Sequence, residues 1–247
     1  MTRTRRATVA MLLVGLAIFS SLYSTQAILP TLVQNMGLSS TEAAMTVSAA
    51  TGALALCVVP ASILSERFGR GRILLISAVA ATGVGLIVPL AQEGWQLIVV
   101  RGLQGALLSG APATAMAWLS EELDDKALPR AMGLYIAGTS VGGLTGRLIP
   151  TGLVEISTWR WALFGSALVS LAFAITSWLL LPTQRNFRPK SIHLKTESRA
   201  LLGHWANRDL ALLFLTAFLS MGTFVSMYNF LTFRLIDDFG LAPSLAG

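Results

Sequence analysis

Two arginines, Arg101 and Arg147, interrupt long apolar stretches of this chain. A guanidinium inside a membrane-spanning segment is costly and normally faces a cavity or a partner. No carboxylate lies near the middle of those stretches, since Glu42, Glu93 and Glu155 fall close to their ends. Two such cations without acidic neighbours favour an anionic or strongly hydrogen-bonding solute. Gln104 follows Arg101 by one helical turn, where its amide can orient the guanidinium or the solute. Snorkelling of either arginine to the membrane interface is the structural alternative.

A second concentration of polar chemistry lies in SILSERFGRGRILLI, residues 62–76. It sets Glu66, Arg67, Arg70 and Arg72 around Gly69 and Gly71, with apolar runs on both sides. Glycine suits such a turn because it accepts backbone angles that other residues resist. Further on, Gly138, Gly142 and Gly146 recur every four residues, with Gly143 beside them. Such a ridge lets a second helix approach closely, and bare packing accounts for it as well as function does. GTSVG, residues 138–142, also matches the serine-hydrolase pattern around Ser140. A nucleophile elbow needs a strand–turn–helix context and a histidine base. This segment reads as membrane helix, and the two histidines, His193 and His204, lie in a polar linker. The one cysteine, Cys57, can form neither an internal disulfide nor a metal cluster. With no metal, nucleotide or dinucleotide motif, the sequence predicts no enzyme, no metal and no cofactor.

The elements that position these residues follow from composition. Of 247 residues, 54% are hydrophobic and 12% charged. The charged share is about half of the roughly 25% usual for soluble domains. Mean hydropathy is +0.68. The chain reads as an all-α integral membrane protein. Seven segments match the roughly 20 apolar residues a spanning helix needs. They run near Ala7–Leu29, Ala43–Leu64, Ile73–Ala91, Trp95–Leu119, Ala131–Val154, Trp161–Leu181 and Leu210–Phe233. The basic, then apolar, N-terminus imitates a secretory signal, but its apolar stretch continues far enough to span. Counting at 1.5 Å per residue puts Arg101 roughly 9 Å and Arg147 roughly 10 Å below the outer boundary.

With the N-terminus in the cytoplasm, 14 of the 18 basic residues fall on the cytoplasmic side. Arg101 and Arg147 lie within spans, and Arg160 and Arg234 near the outer face. That asymmetry supports the orientation. It also explains the net charge of +6 without a nucleic-acid partner. The stretch 183–209 is the one long polar segment, and part of it, near Leu194–Trp205, has the pattern of an amphipathic surface helix or a solvated linker. An internal echo relates AILPTLVQNMGLSSTEAA after the first span to LTFRLIDDFGLAPSLAG after the seventh. Setting Gly37 on Gly240 pairs Leu32 with Leu235, Val33 with Ile236, Leu38 with Leu241 and Ser40 with Pro243. Transporters are often built from such repeats.

These residues resemble a known family. Residues 62–72 resemble the major facilitator signature G-x-L-A-D-R-x-G-R-[RK], with Leu64, Ser65, Glu66, Arg67, Gly69 and Arg70 filling or nearly filling its slots. Ser62 stands for the first glycine, Glu66 for aspartate, and Gly71 for the last basic residue, with Arg72 one place on. RGLQGALLSG, from Arg101, resembles the family's R-x-x-Q-G pattern. GTSVGGLTGR resembles the antiporter pattern G-x-x-x-G-P-x-x-G-G, with Gly143 in the proline slot and Arg147 in the last glycine slot. TWRWALF resembles a frequent opening of the sixth span.

The resemblance, which covers the whole chain, implies a proton-coupled efflux protein of bacterial type in the inner membrane. It would exchange protons for a small organic solute by alternating access. It implies proton coupling at the Arg101 position, while the residues themselves point to Gln104 and Arg147 beside the solute. A conformational latch is implied at Leu64, Glu66, Arg67, Gly69, Arg70 and Arg72. In the family the acid at the Glu66 position faces a helix N-terminus in the second half, which favours negative charge. The glycines of the fifth span would help seal the cavity. The expected organisation is a six-helix bundle over 1–182, a cytoplasmic loop over 183–209, and a seventh helix with the start of an eighth over 210–247. Family members carry twelve spans in two bundles, so the sequence predicts a truncated chain without the second wall of the cavity. The alternative is a non-transporting seven-helix membrane protein such as a receptor or assembly subunit. Oligomeric state, substrate identity and direction of transport are open at this stage.

Overall fold

In the computed structural model, residues 1–189, 203 and 206–241 are described, apart from the side chains of Thr232 and Asp237. Every regular element among them is helical. The helices are α1 (Arg3–Tyr23), α2 (Leu29–Met36), α3 (Ser40–Phe68), α4 (Arg70–Gly85), α5 (Gly94–Leu108), α6 (Gly110–Glu122), α7 (Leu128–Ile156), α8 (Trp159–Leu180) and α9 (Arg208–Asp237). Short 3-10 turns at Gln26–Ile28 and Val88–Leu90 follow α1 and α4. Helix is what lipid demands, because a spanning segment must satisfy its backbone groups internally.

Five stretches are long and apolar enough to cross a membrane: Arg3–Met36, Ser40–Phe68, Arg70–Leu90, Trp159–Leu180 and Arg208–Ile236. The expected fourth span is two helices, α5 and α6, that meet at Ser109. Ser109 keeps right-handed helical angles, φ −58° and ψ −32°, so the two continue one another. The expected fifth span is α7, 29 residues long. The first span does not run straight to Leu29. Helix α1 ends at Tyr23, and the chain turns through Gln26–Ile28 into α2. That early end exposes the last carbonyls of α1, which need partners.

Two buried apolar clusters hold the bundle. One gathers Ala7, Met11, Val14 and Ile18 of α1 against Leu74, Leu108, Trp118 and Tyr135. The other, at the end holding α2, joins Ile28, Leu29 and Leu32 to Val47, Leu97 and Trp159, and Phe233 of α9 packs on it. Helix α1 is the central rod, touching α7 and α8 along its length, and Ser177 of α8 donates to the Ala10 carbonyl at 3.0 Å. Helix α9 stands apart. It meets the bundle mainly at α2 and the adjoining 3-10 turn, and Tyr228 reaches Arg147 of α7. Asn229 is its buried polar side chain.

Candidate functional site

Arg101 is completely buried in α5. Its guanidinium donates to the carbonyls of Ser21, at 3.0 Å, and Leu22 on the last turn of α1. It also reaches the Thr46 carbonyl of α3 at 3.4 Å and the Gln104 side-chain oxygen. Gln104 passes the connection on, donating to Ser21 Oγ at 2.8 Å and to the Ala81 carbonyl of α4 at 3.1 Å. One arginine and one glutamine therefore tie α1, α3, α4 and α5 together. A helix C-terminus carries partial negative charge, so its carbonyls serve a cation in place of a carboxylate. Hydrogen bonds to a charged group contribute about 1.5–3 kcal/mol each. Two good ones offset the roughly 2.5–3.5 kcal/mol that insertion scales assign to a mid-membrane arginine. Snorkelling is thereby excluded for Arg101.

Arg147, half-buried on α7, meets quite different partners. Its Nε and Nη2 donate to Gln26 Oε1 at 3.0 and 2.7 Å, and Nη1 donates to the Gly143 carbonyl at 3.0 Å. Its Cζ lies 4.3 Å from the ring centre of Tyr23 and 4.4 Å from that of Tyr228. Gln26 in turn donates to Asn229 of α9. Both arginines meet residues at the end of α1. They do not share one site: Arg101 is enclosed in the bundle, whereas Arg147 looks toward α9. Tyr23, Gln26, Tyr228 and Asn229 were absent from the expected set. Their only sequence signal was polarity within apolar stretches, in SSLYSTQ and in MYNF.

The glycine ridge is a packing surface. A Cβ on Gly138 would lie 2.4 Å from the Leu12 carbonyl oxygen, on Gly142 2.8 Å from that of Gly15, and on Gly146 2.6 Å from that of Ser20. Gly15 of α1 answers from the other side, 2.8 Å from the Thr139 nitrogen. Gly143 is not part of this ridge. Its side faces Arg147 Nη1 at 3.4 Å and the Tyr23 ring at 3.5 Å, because one residue's rotation about the helix turns it to the arginine. Ser140 has a single described role: it returns its hydroxyl to the Ile136 carbonyl at 3.2 Å.

At the turn between α3 and α4, Gly69 takes φ +101°, which explains a glycine there. Arg70 bridges Glu66, at 3.4 Å, and Glu121 of α6. Gln184 joins the same cluster, accepting from the Gly71 nitrogen at 3.2 Å and donating to Glu121 at 3.0 Å. Leu64, Arg67 and Arg72 are exposed, with Arg67 resting 5.4 Å from the Phe68 ring centre. Next to this cluster, buried Glu122 pairs with Arg3 and accepts from the Arg185 and Asn186 nitrogens at 2.7 Å. Burial opposes its charge, but those bonds and the Arg3 cation outweigh burial and hold its pKa below 4.5. Glu121, Glu122, Gln184 and Arg3 were not foreseen, because they come together only when the segment after α8 folds back.

These sites are set in stacked helices, five stretches of which are long and apolar enough to span, and the whole is a multi-pass all-α membrane protein. The chain belongs to the major facilitator superfamily, whose profile matches residues 11–247. It is 37% identical over 231 residues to the inner membrane transport protein YnfM of Escherichia coli K12, covering 94% of this chain and 55% of that protein. It is 33% identical over 232 residues to the uncharacterized MFS-type transporter YybF of Bacillus subtilis, covering 94% of this chain and 57% of that one. The chain thus spans little more than half the length of these relatives. The crystal structure of a D-xylose–proton symporter superposes with a TM-score of 0.58 and 16% identity, over 98% of this chain and 63% of that one. At that identity the likeness is one of fold.

Proposed function

We propose that the protein is a proton-coupled secondary transporter that exports a small organic anion by alternating access. In this reading it lies in the inner membrane, with the N-terminus in the cytoplasm. The observation that carries it is Arg147, a half-buried cation on the expected fifth span whose described partners include no carboxylate. Family membership supports the transport mechanism, and the E. coli relative's description supports the membrane. The positive-inside distribution supports the orientation. Arg101 and Gln104 hold the end of α1 and transmit its position to three other helices, the place where proton coupling would act. Glu66, Arg70 and Glu121 form the latch at the basic end. The glycine ridge keeps α1 and α7 moving as one body.

The test is reconstitution of the 247-residue chain in proteoliposomes with an imposed proton gradient. Uptake of radiolabelled organic anions should follow the gradient, stop with a protonophore, and fall about tenfold or more in Arg147→Gln, given the strength of charge-assisted bonds. Gradient-independent flux, or equal flux in Arg147→Gln, would reject this reading.

A further inference from the structure

We infer that Arg147, Tyr23 and Tyr228 form a binding site for a flat, conjugated carboxylate, shared between the six-span bundle and α9. This deepens the organic-anion reading above and rests on it. An arginine has five N–H donors. Nε donates one bond, and Nη1 and Nη2 one each, to Gln26 and Gly143. The two uncommitted N–H groups are therefore one on each terminal nitrogen. Those groups are charge-assisted donors that a carboxylate can accept from. Phenol rings from two different helices lie 4.3 and 4.4 Å from the guanidinium carbon. Two aromatic rings thus flank the cation. A ligand that reaches the guanidinium therefore lies beside aromatic rings, and a flat conjugated body suits that contact. Gln26 and Asn229, already bonded to one another, add an amide pair beside it.

The placement has a mechanical consequence. Tyr23 and Gln26 belong to the end of α1 and the turn beyond it, Arg147 to α7, and Tyr228 and Asn229 to α9. Helix α9 is otherwise largely exposed. A ligand seated at Arg147 touches both sides of that seam, so its arrival bears directly on how firmly α9 docks.

Isothermal titration of the purified, monodisperse chain in detergent with benzoate and with sorbate tests the site without requiring transport. Both should bind, and cyclohexanecarboxylate and benzamide about tenfold more weakly, the one lacking flatness and the other charge. Arg147→Gln should abolish binding. Arg147→Lys should weaken it about tenfold, because a lysine lacks the fork. Tyr228→Phe should retain it, whereas Tyr228→Leu should lose several-fold affinity. Tryptophan fluorescence and thermal melting of each variant separate a lost site from a lost fold. No binding to the folded wild-type chain, equal binding by Arg147→Gln, or equal affinity for the flat and puckered acids would each overturn the proposal. Binding without proton-driven flux would reject the transport reading and leave this site standing. Proton-driven flux of an aliphatic organic anion, with benzoate and sorbate left unbound by the folded chain, would do the reverse.

Discussion

Arg101 and Arg147 have the same side chain near the same end of α1, and their surroundings give them different work. Arg101 has no exposed surface and spends its donors on backbone carbonyls at the end of α1. Arg6 does the same for α8, donating to the Leu179 and Leu180 carbonyls at 3.2 Å. Removing Arg101 leaves those carbonyls short of partners and opens a buried void. Arg101→Ala should therefore cost about 3 kcal/mol or more, read as a large fall in melting temperature in detergent. Arg147→Gln, at a half-buried position where the amide keeps some of the polar contacts, should shift the same melt less than Arg101→Ala does. Equal shifts would contradict the division of labour. Both arginines were legible in sequence as misplaced charges. Their partners were not, because a backbone carbonyl at a helix end belongs to no residue type. The point at which α1 stops is set by tertiary packing.

At the scale of elements, the pattern of small residues carried more than the pattern of apolar ones. The spacing of Gly138, Gly142 and Gly146 foretold a close approach, and the structure supplies its partner in the backbone of α1. Gly138→Leu must push α1 and α7 apart and should cost about 1–3 kcal/mol. Gly133→Ala, one turn earlier with nothing within 4 Å, should be neutral or slightly stabilising. Thermal melts of the two variants make the comparison, and a Gly138→Leu chain as stable as Gly133→Ala would show that the ridge does not pack. The echo between the two halves also acquires geometry. Gly37 and Gly240, paired by sequence, both end helices in left-handed conformations, with φ of 67° and 62°. Pro243, the last member of that comparison, lies outside the described residues, as does nearly all of the amphipathic segment expected near Leu194–Trp205. Apolar runs located the spans but not the breaks inside them. The turns at Gln26–Ile28 and Val88–Leu90 and the joint at Ser109 leave hydropathy almost unchanged, so periodicity passes over them.

Across the whole molecule, the two ends of the bundle are held by different chemistry. The end holding α2 relies on apolar packing and the Arg147 cluster; the basic end relies on carboxylates. There Glu122 gathers Arg3 from the N-terminus and two backbone N–H groups from the segment after α8. One side chain thus ties chain positions far apart in sequence. Its pKa lies below 4.5 in the folded chain, lowered against the effect of burial by those bonds and by Arg3. A carboxyl with a depressed folded pKa contributes stability that is complete above its unfolded value. That contribution is lost as pH falls through the folded value. From pH 7 down to about 5, the tie should therefore be unaffected. Below the ordinary value of 4.5 it should weaken progressively. General charge repulsion also grows as acid is added to a chain already at +6. The informative quantity is therefore the difference between wild type and Glu122→Gln. At pH 7 the variant should melt lower, because an amide keeps an acceptor for the backbone N–H groups but loses the pairing with Arg3. As the pH is taken below 4.5 the two curves should converge, since protonation gives the wild type the same neutral group. A gap that persisted at low pH would mean that the shape of Glu122, and not its charge, holds this end together.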